Sequence, residues 1–332
     1  MPAIPASARG PIDMHVHLVG NGLGGSGCWA NLNTYRRLCA EFLLRGIGFK
    51  VSLHDQDFDD HYAAHLAEMV RASSLTHAVI LAHEEVYGSD GRKISLGSFH
   101  TSNNWVLEAA RRHQELLPAV SIHPARKDAL AELDRCVAGG AVMLKLLPPS
   151  HNVDCRHPGY KPFWQRMAEL RIPLLSHTGG EYTVPVADKK FFDPSYLRGP
   201  LDCGVTVIAA HAGTRSAPPG FEPDHLPTFV RMLAEYPHLL GDNSALNTPN
   251  RSHGLRPCLR QDIHQRIVHG SDFPVPISGL WARLRGLVPA TAAREAARTT
   301  NPLQRDYLLK RAMGFDDKAF TRIWDHLLLE NR

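Results

Sequence analysis

Eight short runs rich in β-branched and aliphatic residues alternate with longer amphipathic stretches, and no other feature constrains this chain as tightly. The strand-like runs fall at 12–18, 77–83, 117–124, 141–148, 172–179, 205–213, 239–245 and 267–274. Helical patterns occupy 33–45, 61–73, 102–114, 127–139, 162–170, 195–202, 225–236 and 257–265. Parallel strands need crossover connections, usually helical, so this alternation implies βα units, and eight of them close naturally into a barrel. An open doubly wound sheet would have fewer strands and gather its chemistry near one switch point. Here polar residues recur at the C-terminal end of nearly every strand. With 332 residues, 43% of them hydrophobic, the chain can bury one large core. The expected fold is α/β, a distorted (β/α)8 TIM barrel over about 12–278, with a helical C-terminal extension over 279–332 packed outside it, in one domain covering 1–332.

The first strand carries Asp13-Met14-His15-Val16-His17. Residues two apart on a strand point to the same side, so His15 and His17 reach one ion together, with Asp13 below them on that face. Four later strand-like runs also end in a metal-competent side chain: Lys145, His177, His211 and Asp272. In a parallel barrel all these ends meet at one face. Nitrogen donors with a single carboxylate suit one or two divalent ions, zinc first, with manganese, iron and cobalt as alternatives. An ammonium beside a dication is repelled. Lys145 therefore either reacts with carbon dioxide to give an anionic carbamate that bridges two metals, or stays a lysine and holds an anionic substrate group. Glu181, Arg215 and Asn243 lie at or just past strands five, six and seven, where substrate contacts are expected; His83 and His123 read as structural supports.

D-x-H-x-H on strand one, S-H-T-G on strand five, A-H-A-G on strand six and G-S-D-F-P on strand eight come in the order and spacing of a known pattern. On these motifs the chain resembles the metal-dependent amidohydrolase superfamily, most of all its compact amidohydrolase-related branch. The segment NPLQRDYLLKRAMGF is similar to that branch's C-terminal helix. The resemblance implies that Asp272 ligates the metal and shuttles a proton, while His211 binds a second metal or polarises the substrate. It implies a hydrolase in which metal-activated water attacks the carbonyl carbon of an amide or a lactone or ester. A bound dication lowers the pKa of water to roughly 7, and a carboxylate beside it can take the proton. The branch also includes mononuclear non-oxidative decarboxylases, which is the alternative reading. A catalytically inactive ligand-binding barrel would be expected to have lost a ligand or Asp272. The short lead before the H-x-H counts against the β-sandwich-flanked, hydantoinase-like and deaminase-like relatives.

A formal net charge of +4 with scattered basic residues, apart from pairs such as Arg36-Arg37 and Arg111-Arg112, leaves no stripe for nucleic acid and no polybasic membrane patch. Six cysteines without a C-x-x-C pair, and no apolar signal segment, point to free thiols and a cytoplasmic location. No apolar run approaches the roughly 18 residues that span a bilayer. The expected partner is a small-molecule substrate, with homo-oligomerisation left open. Gly22-Leu23-Gly24-Gly25-Ser26-Gly27 fits G-x-G-x-x-G but does not open directly into a helix, so it reads as a mobile loop over the pocket. Asp57, Asp59 and Asp60 precede an amphipathic run and read as helix N-cap and dipole partners.

Overall fold

The computed structural model describes residues 4–329, and every side chain among them except Tyr35 and Arg36. The ends of the expected domain and Arg36 of the first arginine pair therefore lie outside the described residues. Eight parallel strands form one sheet whose neighbours follow chain order. They are β1 Ile12–His17, β2 His77–Leu81, β3 Leu116–Val120, β4 Met143–Leu146, β5 Leu174–His177, β6 Val207–Ala210, β7 Leu239–Asp242 and β8 Ile267–Val268. Helices cover the outside, among them α1 Thr34–Gly46, α2 Phe58–Arg71, α3 Asn103–Arg112, α4 Ala129–Ala138, α5 Lys161–Leu170, α6 Leu226–Glu235 and α7 Pro302–Met313. The fold is thus the distorted (β/α)8 barrel that the alternation predicts.

The strands read with period two. Leu174, Val207, Ala209, Leu239 and Ile267 face the helices, whereas Leu175, Ile208, Ala210, Leu240 and Val268 fill the barrel interior. Carried on by the same period, the last inward positions of β4, β5 and β7 are Lys145, His177 and Asp242. The expected strands run longer than those observed, because the backbone leaves the ladder where it presents polar side chains. After β6 the residues His211, Ala212 and Gly213 all take positive φ, and after β8 so does Asp272 at 65°.

The β1–β2 register shifts between Asp13 and Val16, and there β1 turns toward β8. Met14 N donates to His269 O (3.1 Å), Asp272 N to His15 O (2.9 Å) and His17 N to Phe273 O (2.8 Å), which closes the barrel. Asp13 is part of that closure. Its Oδ1 accepts from His15 N (3.1 Å) and Ser271 N (2.9 Å), and burial raises its pKa to about 6. Asp13 is a strut joining β1 to the segment before Asp272.

Three other expectations change. The end of the C-terminal extension does not pack on the outside: Trp324 Nε1 donates to Gly10 O (2.8 Å) and Leu328 N to Val142 O (3.0 Å), so it closes the barrel floor beneath Ile12 and Met14. The glycine-rich segment is pinned, because Asp59 accepts from Asn21 N (2.6 Å), Gly22 N (3.2 Å) and Ser26 Oγ (2.5 Å). Gly22, at φ 76°, admits no Cβ, which would meet Cys28 O. Asp57, at the N-cap of α2, makes no side-chain capping bond, and Asp59 serves the loop instead. The six cysteines are unpaired.

Lys310 on α7 is fully buried and donates to Asp306 and to Gly270 O (2.6 Å), while Asp306 accepts from Asn247 Nδ2 (2.6 Å). This pair holds the main chain two residues before Asp272. Removing one partner of a buried ion pair strands the other charge. Lys310→Met should therefore cost about 3–5 kcal/mol in urea unfolding, and the double change Asp306→Leu, Lys310→Met should recover most of the loss. Equal destabilisation by the single and double variants would show that the pair does not carry this packing.

Candidate metal centre

The C-terminal strand ends converge as the sequence requires. His15 Nε2 and His17 Nε2 each lie 3.1 Å from Asp272 Oδ1, and His211 Nε2 lies 4.0 Å from Asp272 Oδ2. The ring centroids of His15 and His17 are 5.3 Å apart, those of His15 and His211 5.4 Å, and those of His177 and His211 4.9 Å. Among the described residues, His15, His17 and Asp272 offer ligand atoms within 4.8 Å of one another. His177 stands behind His211 rather than inside that triad. Lys145 is buried with Nζ 3.1 Å from His15 Nε2. Burial brings its pKa down to about 8 against the opposing charges of Asp272, Asp242 and Glu181.

A residue that sequence reasoning passed over organises this cluster. Asp242, the last residue of β7, lies 2.7 Å through Oδ2 from His15 Nδ1. Its Oδ1 accepts from His211 N (2.7 Å), Ser244 N (3.0 Å) and Ser244 Oγ (2.5 Å). Burial would raise the Asp242 pKa, but His15, His211 and Ser244 more than offset it and hold the carboxyl well below the usual range. Asp242 therefore accepts a hydrogen bond from His15 Nδ1 and leaves Nε2 facing the centre. His211 is set the same way, with Nδ1 3.0 Å from Ser244 O and Nε2 turned inward. Strict alternation from the inward Leu240 selects Asp242 and not its neighbour Asn243, and that was the available signal.

The donor set fits a dication. His15 and His17 bring imidazole nitrogens, and Asp272 a carboxylate oxygen, within 4.8 Å of one another, a donor set that a divalent ion would satisfy. His177 Nε2 is buried with no hydrogen-bond partner. Asp272 stays ionised, since His15, His211 and His17 outweigh its burial. Asp272 and His211 both hold left-handed backbone conformations, with φ of 65° and 60°, which non-glycine residues adopt at a cost of about 1–3 kcal/mol.

The other expected residues are less central. Glu181 accepts through Oε1 from Thr183 N (2.5 Å) and Val184 N (3.3 Å), and its Oε2 lies 3.7 Å from His177 Nδ1, so it supports His177. Arg215 pairs with Asp224 at 3.1 Å but leaves Nε without a partner. Asn243 accepts from Gly270 N (3.3 Å), with Nδ2 unpartnered. Arg251, also missed, is a buried guanidinium that donates to Thr214 O (2.5 Å) and Gly180 O and ties the loops after β5 and β6 together. Nothing in its polar surroundings, NTPNRSHG, marks it in the sequence. Surface clefts of about 270 and 410 Å³ lie off this centre, along α2 and beside Trp29.

Groups that orient a ligating imidazole typically contribute 10–100-fold to metal affinity. Asp242→Asn should therefore weaken zinc binding by about that factor while leaving the fold intact, as read by competition with a chromophoric chelator alongside circular dichroism. Unchanged affinity would mean that Asp242 does not set the His15 tautomer.

No curated protein sequence gives a significant match. Among solved structures, an uncharacterized TIM-barrel protein from Bordetella bronchiseptica superposes with a TM-score of 0.56 at 15% identity, covering 90% of this chain and 99% of that one. A Pseudomonas putida protein provisionally named 2-pyrone-4,6-dicarboxylic acid hydrolase superposes with a TM-score of 0.55 at 16% identity, covering 96% of this chain and 95% of that one. At such identities the likeness shows the fold. The amidohydrolase family model matches residues 12–304, nearly the whole barrel and the helices behind it, and the chain belongs to the amidohydrolase family.

Proposed function

We propose that this protein is a metal-dependent hydrolase that acts on the carbonyl carbon of a small-molecule lactone, ester or amide. The observation that carries the reading is the position of Asp272, an ionised carboxylate in reach of His15, His17 and His211 at the mouth of the barrel. His15, His17 and Asp272 would hold a first ion, zinc by preference for this donor set, and His177 and His211 a second. Such an ion, when bound, lowers the pKa of water and polarises a carbonyl oxygen. Asp272 uses one oxygen toward the histidines and keeps the other free to accept the proton of the attacking water and return it to the leaving group. His211, neutral and with Nε2 turned inward, serves as a ligand and not as a proton donor to the substrate.

Lys145 enters the same site through its 3.1 Å approach to His15 Nε2. Addition of carbon dioxide to its amine, with loss of one proton, would give a carbamate, and so turn a repelled cation into an anionic ligand. Arg215 Nε and Asn243 Nδ2 have no protein partner, so they are the groups of the expected substrate-binding set still available to a substrate. The name of the Pseudomonas putida neighbour, which refers to hydrolysis of a cyclic ester, is in keeping with a lactone substrate.

Asp272→Asn keeps the size of the side chain but cannot take a proton. Measured on the first ester, lactone or amide that a screen reveals, kcat should fall by about 10²–10⁴ while substrate affinity changes far less. Near-normal turnover with full metal content would overturn the assignment.

Elemental analysis of protein purified without chelator should find two zinc-like ions per chain. Their removal should abolish activity, and zinc should restore it. Release of carbon dioxide from a carboxylate substrate, with no hydrolysis and one ion per chain, would replace this reading with decarboxylation.

A further inference from the structure

We propose that the ends of β2 and β4 build a second subsite beside the metal centre, one that takes an uncharged hydroxyl or carbonyl oxygen of the substrate on the N–H groups of neutral imidazoles. It rests on the hydrolase reading, because it specifies which substrates that centre receives. His83 follows β2, and His151 closes the helical turn Pro148–His151 just after β4. Their rings meet edge to face at 4.8 Å, and His83 stacks on Phe99 at 4.0 Å. His151 is fully buried and His83 is 5% exposed.

The hydrogen bonds fix what His151 can offer. Its Nδ1 accepts from Leu147 N (3.1 Å), so in the neutral ring the proton sits on Nε2, which has no partner. A protonated nitrogen cannot ligate a metal, so His151 is a donor and this cluster is not a second ion site. His83 Nδ1 and the buried Ser150 Oγ also lack partners. His123, whose Nδ1 accepts from Ala125 N (3.0 Å), turns toward the main-chain carbonyls of His151 and Asn152 and packs beside them. Burial keeps the rings of His83 and His151 uncharged. The groups whose charge bears on them most are His17, His100, His123 and Lys145. β2 lies next to β1, which ends in His17, and His151 follows Lys145 by six residues, so this wall lies beside the metal centre.

Buried polar groups in native proteins are almost always hydrogen-bonded, and a wall holding three unpaired ones is a place for a polar ligand. Neutral donors satisfy an uncharged oxygen acceptor. A carboxylated Lys145 would repel a carboxylate there.

The test uses unreactive rings, so binding is read apart from catalysis. Tetrahydrofuran, 3-hydroxytetrahydrofuran and tetrahydrofuran-3-carboxylate are titrated into the zinc-loaded protein while the imidazole ¹H–¹⁵N signals are followed by NMR. The hydroxyl-bearing ring should shift the His83 and His151 signals and bind about tenfold more tightly than the unsubstituted ring, the size of one neutral hydrogen bond. His151→Phe keeps an aromatic ring but loses the donor, and should bring the two affinities within about twofold of each other; should it fail to fold, His83→Phe is read in the same way. Tighter binding of the carboxylate, equal binding of the first two rings to the unaltered protein, or silence of both imidazole signals overturns the proposal. A hydroxyl preference in a protein that hydrolyses nothing would sink the hydrolase reading alone. Hydrolysis without that preference would sink the subsite alone.

Discussion

The candidate site depends on one buried carboxylate, that of Asp242. It meets His15 on β1, the main chain of His211 after β6 and both the main chain and hydroxyl of Ser244 after β7. A charge in the interior is tolerated only when hydrogen bonds replace the water it has lost. Asp242 uses both oxygens in this way, so the three segments must reach it together. The tautomers of His15 and His211, and with them the inward direction of both Nε2 atoms, are consequences of satisfying that one group.

A second constraint comes from the closure of the barrel. Asp272 stands where β8 has already left the sheet, in a left-handed conformation held by its own N–H on His15 O and by Asp13 on the neighbouring Ser271. Behind it, Lys310 grips Gly270 O from α7. The strain at Asp272 is thus held from the barrel wall and from the C-terminal helix at once. That is why a helix lying outside the strands matters to a side chain at the mouth.

Much of this was legible in the residues. The alternation of short apolar runs with amphipathic stretches located all eight strands, and the H-x-H of the first with the metal-competent residues ending later runs named His15, His17, Lys145, His177, His211 and Asp272. What the sequence concealed has specific causes. Asp242 was masked by Asn243, one position along, and in a strand one position is the difference between the two faces. Asp13 lies two residues before His15 in the sequence, but a register shift between Asp13 and Val16 breaks the alternation, and its oxygen turns to the backbone. Asp59 looked like a helix cap because it precedes an amphipathic run, yet its bonds go to a loop 33 to 38 residues earlier, a separation no local pattern reports. Arg251 lies in a polar loop with no periodicity, and its burial is a property of the assembled loops after β5 and β6.

The strand ends divide their work around the barrel. β1, β5, β6 and β8 carry the histidines and the aspartate with metal-competent atoms, and β7 supplies the carboxylate that orients them. β4 contributes Lys145 to the same centre and then, within six residues, His151 to the wall beside it. β2 adds His83 to that wall, and β3 is followed by His123 packed behind it. Most of the metal-competent atoms and the His83–His151 pair therefore lie on different arcs of the barrel, with Lys145 at the boundary. The charge state of Lys145 is then felt on both sides. As an ammonium it repels an ion and attracts an anionic substrate arm; as a carbamate it does the reverse, so the chemistry at this one nitrogen couples what the centre binds to what the wall accepts.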